Sequence, residues 1–275
     1  MLRIDLHTHS VFSDGTLTTD KLVSLAKKRR VSVLSLSDHD SVDGIPGFLR
    51  SCNKHKIKGV AGVELSAKYS GTLHILGYRF DYKSFSSCSL YREIRESREE
   101  RNTTICNKLN NAGINISLDE IYKETTQGVV TRPHIARVLV KNGYASNITE
   151  AFTKYLQAGA IGYASRFRAA PEKCVSIIRE YGGLPVLAHP WQTSPDLFDI
   201  RELVIKLKDF GLWGIECYSN SNNSAHVYGI IKLAVEIGLY VTGGSDFHGD
   251  DNHNNTLGIM VPDDILPWAR FCGGL

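Results

Sequence analysis

The feature that most limits the fold of this chain is a series of apolar runs of strand length that return with helical segments between them. Leu2 to Leu6, Val31 to Leu36, Val60 to Leu65, Leu73 to Tyr78, Leu184 to Ala188, Gly214 to Tyr218 and Leu239 to Thr242 read as strands. Residues 18–29 put Leu22, Leu25 and Ala26 at helical spacing behind a Ser/Thr/Asp-rich start, and 171–181, 197–207 and 224–237 are helical in the same way. Strands alternating with helices over short connections predict an α/β fold around a parallel sheet, open or closed into a barrel. From Lys83 to Ala170 the rhythm breaks. Charged helical segments at 92–111, 118–125, 133–141 and 149–156 follow one another without a strand, over a length too great for one connection. The expectation is a β/α body from residues 1–82 and 171–275, with a small helical insertion domain over 83–170.

A chain of 275 residues can bury a substantial core, and 42% hydrophobic with 22% charged residues excludes a disordered or low-complexity chain. No apolar run approaches membrane-spanning length and the start lacks a secretory pattern, so a cytoplasmic protein without a membrane partner is expected. Six cysteines without CxxC spacing argue against a zinc ribbon, a redox dithiol or a disulfide framework; free thiols are expected. The net charge is only +3, but the first 170 residues are basic and the rest acidic. That asymmetry suits an anionic small molecule, and equally an ordinary solvated surface.

The histidines and acids turn this pattern into chemistry. In Asp5-Leu6-His7-Thr8-His9 an extended strand sends both imidazoles to one face, about 6–7 Å apart at the backbone, so that both can hold one ion. Asp14 follows in a Ser-Asp-Gly turn. The second run ends in Ser37-Asp38-His39-Asp40, the third in Glu64, the fourth contains His74, the fifth ends in His189-Pro190, and the seventh leads into Gly244-Ser245-Asp246-Phe247-His248. One strand-end histidine is more often a hydrogen-bonded core or surface group than a ligand. Six strands contributing a histidine or carboxylate are different, because the C-terminal ends of parallel barrel strands share one rim. Imidazole with carboxylate and no thiolate suits zinc, manganese or iron better than magnesium or a sulfur cluster.

These stretches resemble the polymerase and histidinol phosphatase (PHP) family of metal-dependent phosphoesterases, whose four motifs begin with an H-x-H pair. The matching segments are Asp5 to Ser10 through Ser13-Asp14-Gly15, Ser37 to Asp40, Ala188-His189-Pro190 and Gly244 to His248, in the family's order. The resemblance implies a distorted (β/α)7 barrel and three divalent metal ions, manganese, zinc or iron. Carried over to this chain, His7, His9, Glu64 and Asp246 would hold one ion, with Glu64 bridging to a second on His74 and His189. Asp14, His39 and His248 would hold the third. Asp14, His39, Glu64 and Asp246 are then the residues assigned to catalysis. Three divalent ions outweigh the three carboxylates, so the centre would bind phosphate oxygens and activate a water for hydrolysis. Asp5, Asp38 and Asp40, beside the ligands, are candidates for orienting imidazoles.

Within the family, residues 13–18, the short second motif and the insertion after Gly77-Tyr78 look like the small nucleotide phosphoesterases. These act on nucleoside monophosphates, 3′,5′-nucleoside bisphosphates or the 5′ ends of short RNA, and their insertion covers the site. Thr131-Arg132-Pro133-His134 resembles their substrate-contacting segment, so Arg132 and His134 are expected to bind phosphate near a Gln127-Gly128 turn that lets the segment approach. Arg166 and Arg168 are further candidates, more simply read as a solvated loop. Arg30 departs from the family pattern, which leads one to expect a helix-closing glycine. Asp40, His226 or a metal-bound water are the candidates for protonating the leaving group. No obligate protein partner is implied. An amidohydrolase would also use an H-x-H barrel, and a non-catalytic nucleic-acid-associated PHP module is the alternative from another class. Activity on phosphate esters separates all three.

Overall fold

The structure, a computed structural model, describes residues 1–125, 128–220, 222–249, 256–266 and 271. All seven expected runs form strands: β1 (Leu2–Asp5), β2 (Val33–Leu36), β3 (Lys58–Ser66), β4 (His74–Tyr78), β5 (Leu184–Leu187), β6 (Gly214–Tyr218) and β7 (Tyr240–Gly243). A short β8 (Ile259–Val261), which the sequence pattern does not reveal, pairs with the start of β1. The helices are α1 (Thr19–Lys28), α2 (Ile45–His55), α3 (Tyr82–Phe85), α4 (Ser89–Asn111), α5 (Leu118–Lys123), α6 (Arg132–Lys141), α7 (Ile148–Ala151), α8 (Pro171–Glu180), α9 (Pro190–Thr193), α10 (Leu197–Asp209) and α11 (Ser224–Ile237). A π-helical turn, Phe152–Leu156, follows α7. α2 is also hidden in the sequence, because Pro46 and Gly47 read as a turn; a proline in the first turn of a helix sacrifices no hydrogen bond.

The sheet order is β7-β6-β5-β4-β3-β2-β1-β8, and the expected distorted barrel is formed. The sheet is not wholly parallel, however: β4 runs antiparallel to β3 and β5, and β8 antiparallel to β1. The reason is length. Only residues 67–73 join β3 to β4, too few for a crossover helix, so the pair is a hairpin. The reversal places His74, the first residue of β4, at the same rim as Glu64 near the end of β3. It also leaves the chain at the base after β4, from which α4 carries it past the rim over roughly 35 Å at 1.5 Å per residue.

Closure occurs at the rim. Beyond β1, Leu6 N donates to Gly243 O (3.2 Å), His9 N to Phe247 O (2.9 Å) and Phe247 N to His7 O (3.3 Å). Gly244 is required there, since a Cβ would meet the Cβ of His7 at 2.3 Å. Below the rim, Ile4, Leu6, Val60, Leu76 and Val186 fill the barrel, and the Tyr78 hydroxyl caps Leu6 O at 2.9 Å. The apolar stripe of α4 serves two cores: Leu90, Tyr91 and Ile94 join the barrel's outer layer, whereas Ile105 and Leu109 pack with Ile121, Ile135 and Leu139 of the insertion. Cys52, Cys106, Cys174 and Cys217 are buried free thiols and Cys88 is half-buried and free; Cys272 lies outside the described residues. Among the described residues no helix is long and apolar enough to cross a membrane.

Candidate active site

The strands deliver their polar residues to the rim because the residues next to it in each strand are largely buried. The nine expected ligands converge there, from residue 7 to residue 248. His7, His9, Glu64 and Asp246 form one group with ligand atoms within 4.8 Å of one another, and His9, Asp14, His39 and His248 form a second. His39, Glu64 and His74 form a third. His189 joins it through Nε2, 3.1 Å from both Glu64 Oε1 and His74 Nδ1. The arrangement differs from the expected partition in that His9 and His39 each serve two groups.

The donor set fits divalent metal ions. In the first group the separations are 3.1 Å (His9 Nε2 to Asp246 Oδ1), 3.3 Å (His7 Nε2 to Glu64 Oε1, His9 Nε2 to Glu64 Oε2) and 3.4 Å (His7 Nε2 to Asp246 Oδ1). Ligands 2.0–2.2 Å from a tetrahedral ion stand about 3.3–3.6 Å apart. His7 Nε2, Asp14 Oδ1 and Glu64 Oε2 are buried with no hydrogen-bond partner, a costly state that ligation relieves. Burial alone would raise the carboxyls of Glu64, Asp14 and Asp246. The imidazoles around them instead hold all three well below the usual carboxylate range, led by His39 for Glu64 and Asp14 and by His7 for Asp246. His9 is pushed down to about 3 by burial and by His248 and His39, which favours its neutral form. His248 rises to about 10 because Asp14 and Asp246 outweigh its burial.

The residue that orients an imidazole is Glu216, unnoticed in the sequence. Its carboxylate lies 3.2 Å from His7 Nδ1, which turns Nε2 towards Glu64 and Asp246, and it accepts from His189 N at 2.8 Å. An acid inside the apolar run of β6 was the available signal. Asp5 and Asp38 do different work. Asp5 accepts from Ser245 N, the Ser245 hydroxyl and Gly258 N; Asp38 accepts from Ser10 N and the Ser10 and Ser13 hydroxyls. Both bind the loops that carry ligands, and neither bonds an imidazole. His189, Asp246 and Asp40, three of the six described non-glycine residues with positive φ, have φ of 24°, 55° and 48° at this rim.

Between the rim and the insertion lies a cavity of about 280 Å³, with Asp14, His39 and His74 on one wall and Arg98, Arg101, Arg132, Arg166 and Arg168 around the rest. Arg98 and Arg101 escape a reading of the sequence, although they interrupt the apolar stripe of α4 between Ile94 and Ile105. Arg166 is not solvated; it is buried on Asp40 at 2.9 Å, and Arg98 Nε bonds the same carboxylate at 2.9 Å. Arg101 is 4% exposed and, among the described residues, bonds only the neutral oxygens of Asn102 and Val130. Burial, followed by Arg98, Arg166 and Arg132, drives its pKa well below the ordinary value. A buried guanidinium among others, without a carboxylate of its own, is built to receive an anion.

Arg132 lines this cavity, bonded to Ala164 O at 2.9 Å and stacked over Tyr163. His134 lies behind it: Nδ1 accepts from Thr131 N at 3.0 Å and closes the N-terminus of α6, and burial lowers its pKa to about 4. Asp40 cannot protonate a leaving group. Two guanidiniums and Ser66 occupy its oxygens, and despite burial the charge of Arg98 holds it well below the carboxylate range. His226 stacks on Trp191 at 4.5 Å and does not line the cavity. Gly128 makes the expected close approach, but Gln127 falls outside the described residues.

Comparison with known proteins agrees with this geometry. Residues 5–183 match the PHP domain family. The chain is 33% identical to a 5′-3′ exoribonuclease of Haemophilus influenzae, covering 98% of this chain and 99% of that one. It is 32% identical to a 3′,5′-nucleoside bisphosphate phosphatase of Chromobacterium violaceum, covering 98% and 95%. Among solved structures, a Chromobacterium violaceum protein described as an amidohydrolase, with bound sulfate and no metal, superposes with a TM-score of 0.88 at 31% identity over 98% of this chain and 95% of that one. A Bifidobacterium adolescentis protein assigned as a metal-dependent phosphoesterase superposes at 0.87 and 26%, covering 98% and 96%. A family match over most of the chain, joined to a rim that gathers imidazoles and carboxylates from both of its ends, leads to one conclusion: this chain belongs to the PHP domain family and is a metal-dependent phosphoesterase.

Proposed function

We propose that the protein hydrolyses a phosphate ester adjoining a nucleoside, on a nucleoside monophosphate, a 3′,5′-nucleoside bisphosphate or the 5′ end of a short RNA. The observation that carries this reading is the single cavity shared by Asp14, His39 and His74 on one side and five arginines on the other. Three ligand groups would hold three ions, of manganese, zinc or iron, with Glu64, which belongs to two of the groups, shared between them. Divalent ions held there supply Lewis-acid activation of water and neutralise phosphate charge. The chain's own residues do the rest. Arg132 and Arg168 draw in the substrate's anionic remainder, and Arg98 and Arg166, tied to Asp40, keep a fixed wall behind it. Arg101 receives a phosphate oxygen without surrendering a partner. His134 holds α6, and with it Arg132, rather than touching substrate directly.

The experiment is phosphate release by metal-reconstituted protein from adenosine 3′,5′-bisphosphate, AMP, a 5′-phosphorylated trinucleotide and p-nitrophenyl phosphate, beside an N-acyl amide. Nucleotides should be hydrolysed with far higher kcat/KM than the aryl phosphate. Amide cleavage without phosphate release would return the reading to an amidohydrolase, and inertness of the metal-replete protein to a binding module.

A further inference from the structure

Besides the pairing of Arg98 and Arg166 with Asp40, the insertion meets the metal rim at a second place, the loop Val11 to Asp14. The Thr125 hydroxyl donates to Val11 O at 3.3 Å, Val129 N to Phe12 O at 3.1 Å and the Arg137 guanidinium to Asp14 O at 3.2 Å. Contact is backbone to backbone at Gly128, whose φ is +87° and where a Cβ would stand 2.1 Å from Phe12 O. From below, the same loop is held by Asp38 through Ser10 and Ser13. Asp14 is therefore fixed between the barrel and the insertion, and its carboxyl is the only acid in the group with His9, His39 and His248. Arg137 forms no ion pair among the described residues, and its guanidinium is directed at this one carbonyl.

We infer that the insertion is a working part of the metal centre: Arg137, seated by Gly128 and Val129, is a positioning residue for Asp14 and thereby for the ion of that ligand group. The inference rests on Asp14 being a ligand, as proposed above. By charge alone a guanidinium beside a cationic centre weakens ion binding, so the role assigned to Arg137 is geometric, and the two effects have opposite signs. One carboxylate anchors this group where two anchor the first, so a small displacement of Asp14 costs it proportionally more. An insertion lifted from the loop would disarm the site as well as uncover it.

The test uses the full chain loaded with Mn²⁺ and titrated with a chelator while the metal bound per chain is counted. Arg137→Met, and Arg137→Gln as a polar parallel, should release one ion at a chelator concentration about tenfold lower than the unsubstituted protein, and keep the others. Arg137→Lys should restore part of the difference. Asp14→Asn is the reference for losing the ligand itself. Release from Asp14→Asn with normal retention in both neutral Arg137 variants would overturn the inference while leaving Asp14 a ligand. Tighter retention in those variants would show that charge prevails, and loss of all ions together would mark Arg137 as merely structural; either result also overturns it. Normal retention in Asp14→Asn as well would remove the ligand assignment and the inference with it. Circular dichroism of the metal-stripped variants checks that each is folded.

Discussion

The division of labour at this rim is clearest one side chain at a time, because neighbouring acids of one chemical type have separate tasks. Of the acids outside the ligand groups, Asp5 and Asp38 bind backbone and hydroxyl donors of the rim loops, Asp40 binds two guanidiniums, and Glu216 meets an imidazole. Glu216→Gln leaves the shape but weakens the charge that orients His7. Metal affinity should fall about 10- to 100-fold, the usual scale for losing such a partner, as read by calorimetric metal titration; unchanged affinity would show that packing alone orients the ring. Arg132 belongs to the substrate side. A charge-assisted contact contributes roughly 1.5–3 kcal/mol, so Arg132→Ala should lower kcat/KM on a nucleotide about ten- to a hundredfold and much less on p-nitrophenyl phosphate. Equal losses on both substrates would make this arginine structural. That the nine candidate ligands gather at one rim was legible because histidines and acids at the ends of several apolar runs share one end of a barrel. Arg98, Arg101 and Glu216 were not, because a charged residue on a helix or strand declares its partner only after remote segments meet.

Elements show the same contrast between local and long-range information. Every strand of the barrel proper was visible as an apolar run, yet their directions were not, and the direction of β4 decides whether His74 reaches the rim. The short β3 to β4 connection settled it. At the end of α1, Arg30 adopts φ 58°, the conformation for which glycine was expected, with Arg30 N bonded to Lys27 O and Val31 N to Ala26 O. A left-handed residue with a Cβ costs roughly 1–2 kcal/mol, part of which a glycine returns as extra freedom in the unfolded chain. Arg30→Gly should therefore raise stability by up to about 1 kcal/mol in denaturant unfolding, without altering metal content. A destabilised variant would mean that the Arg30 side chain contributes more than its backbone strain costs. The long α4 is the element on which most depends: its apolar ends belong to two different cores, and its middle turn presents Arg98 and Arg101 to the cavity between them.

Across the whole protein, the candidate metal centre adds to the backbone bonds and β1–β8 pairing that join the two ends of the chain, since His7 and His9 share a ligand group with Asp246. Ions that bind only the folded state stabilise it in proportion to the logarithm of their concentration, by about 4 kcal/mol at a thousand times Kd. Stripping the protein with a chelator should lower its melting temperature, and adding back Mn²⁺ or Zn²⁺ should restore it with a concentration-dependent Tm; a Tm indifferent to metal would count against a centre that ties the barrel closed. Removal should also be stepwise, the ion near Asp14 leaving before the one shared by Glu64 and Asp246. The order of amino acids was enough to set the kind of element at most positions, the membership of the rim and the class of chemistry, because apolar periodicity and ligand spacing are local properties that survive in one dimension. Folding in three dimensions was needed to settle which acids serve ligands and which serve loops, how α4's arginines and Arg166 come to face the metals, and that the insertion grips the loop carrying Asp14. Those outcomes depend on desolvation and on distances between segments remote in the chain, and neither exists until the chain has closed on itself.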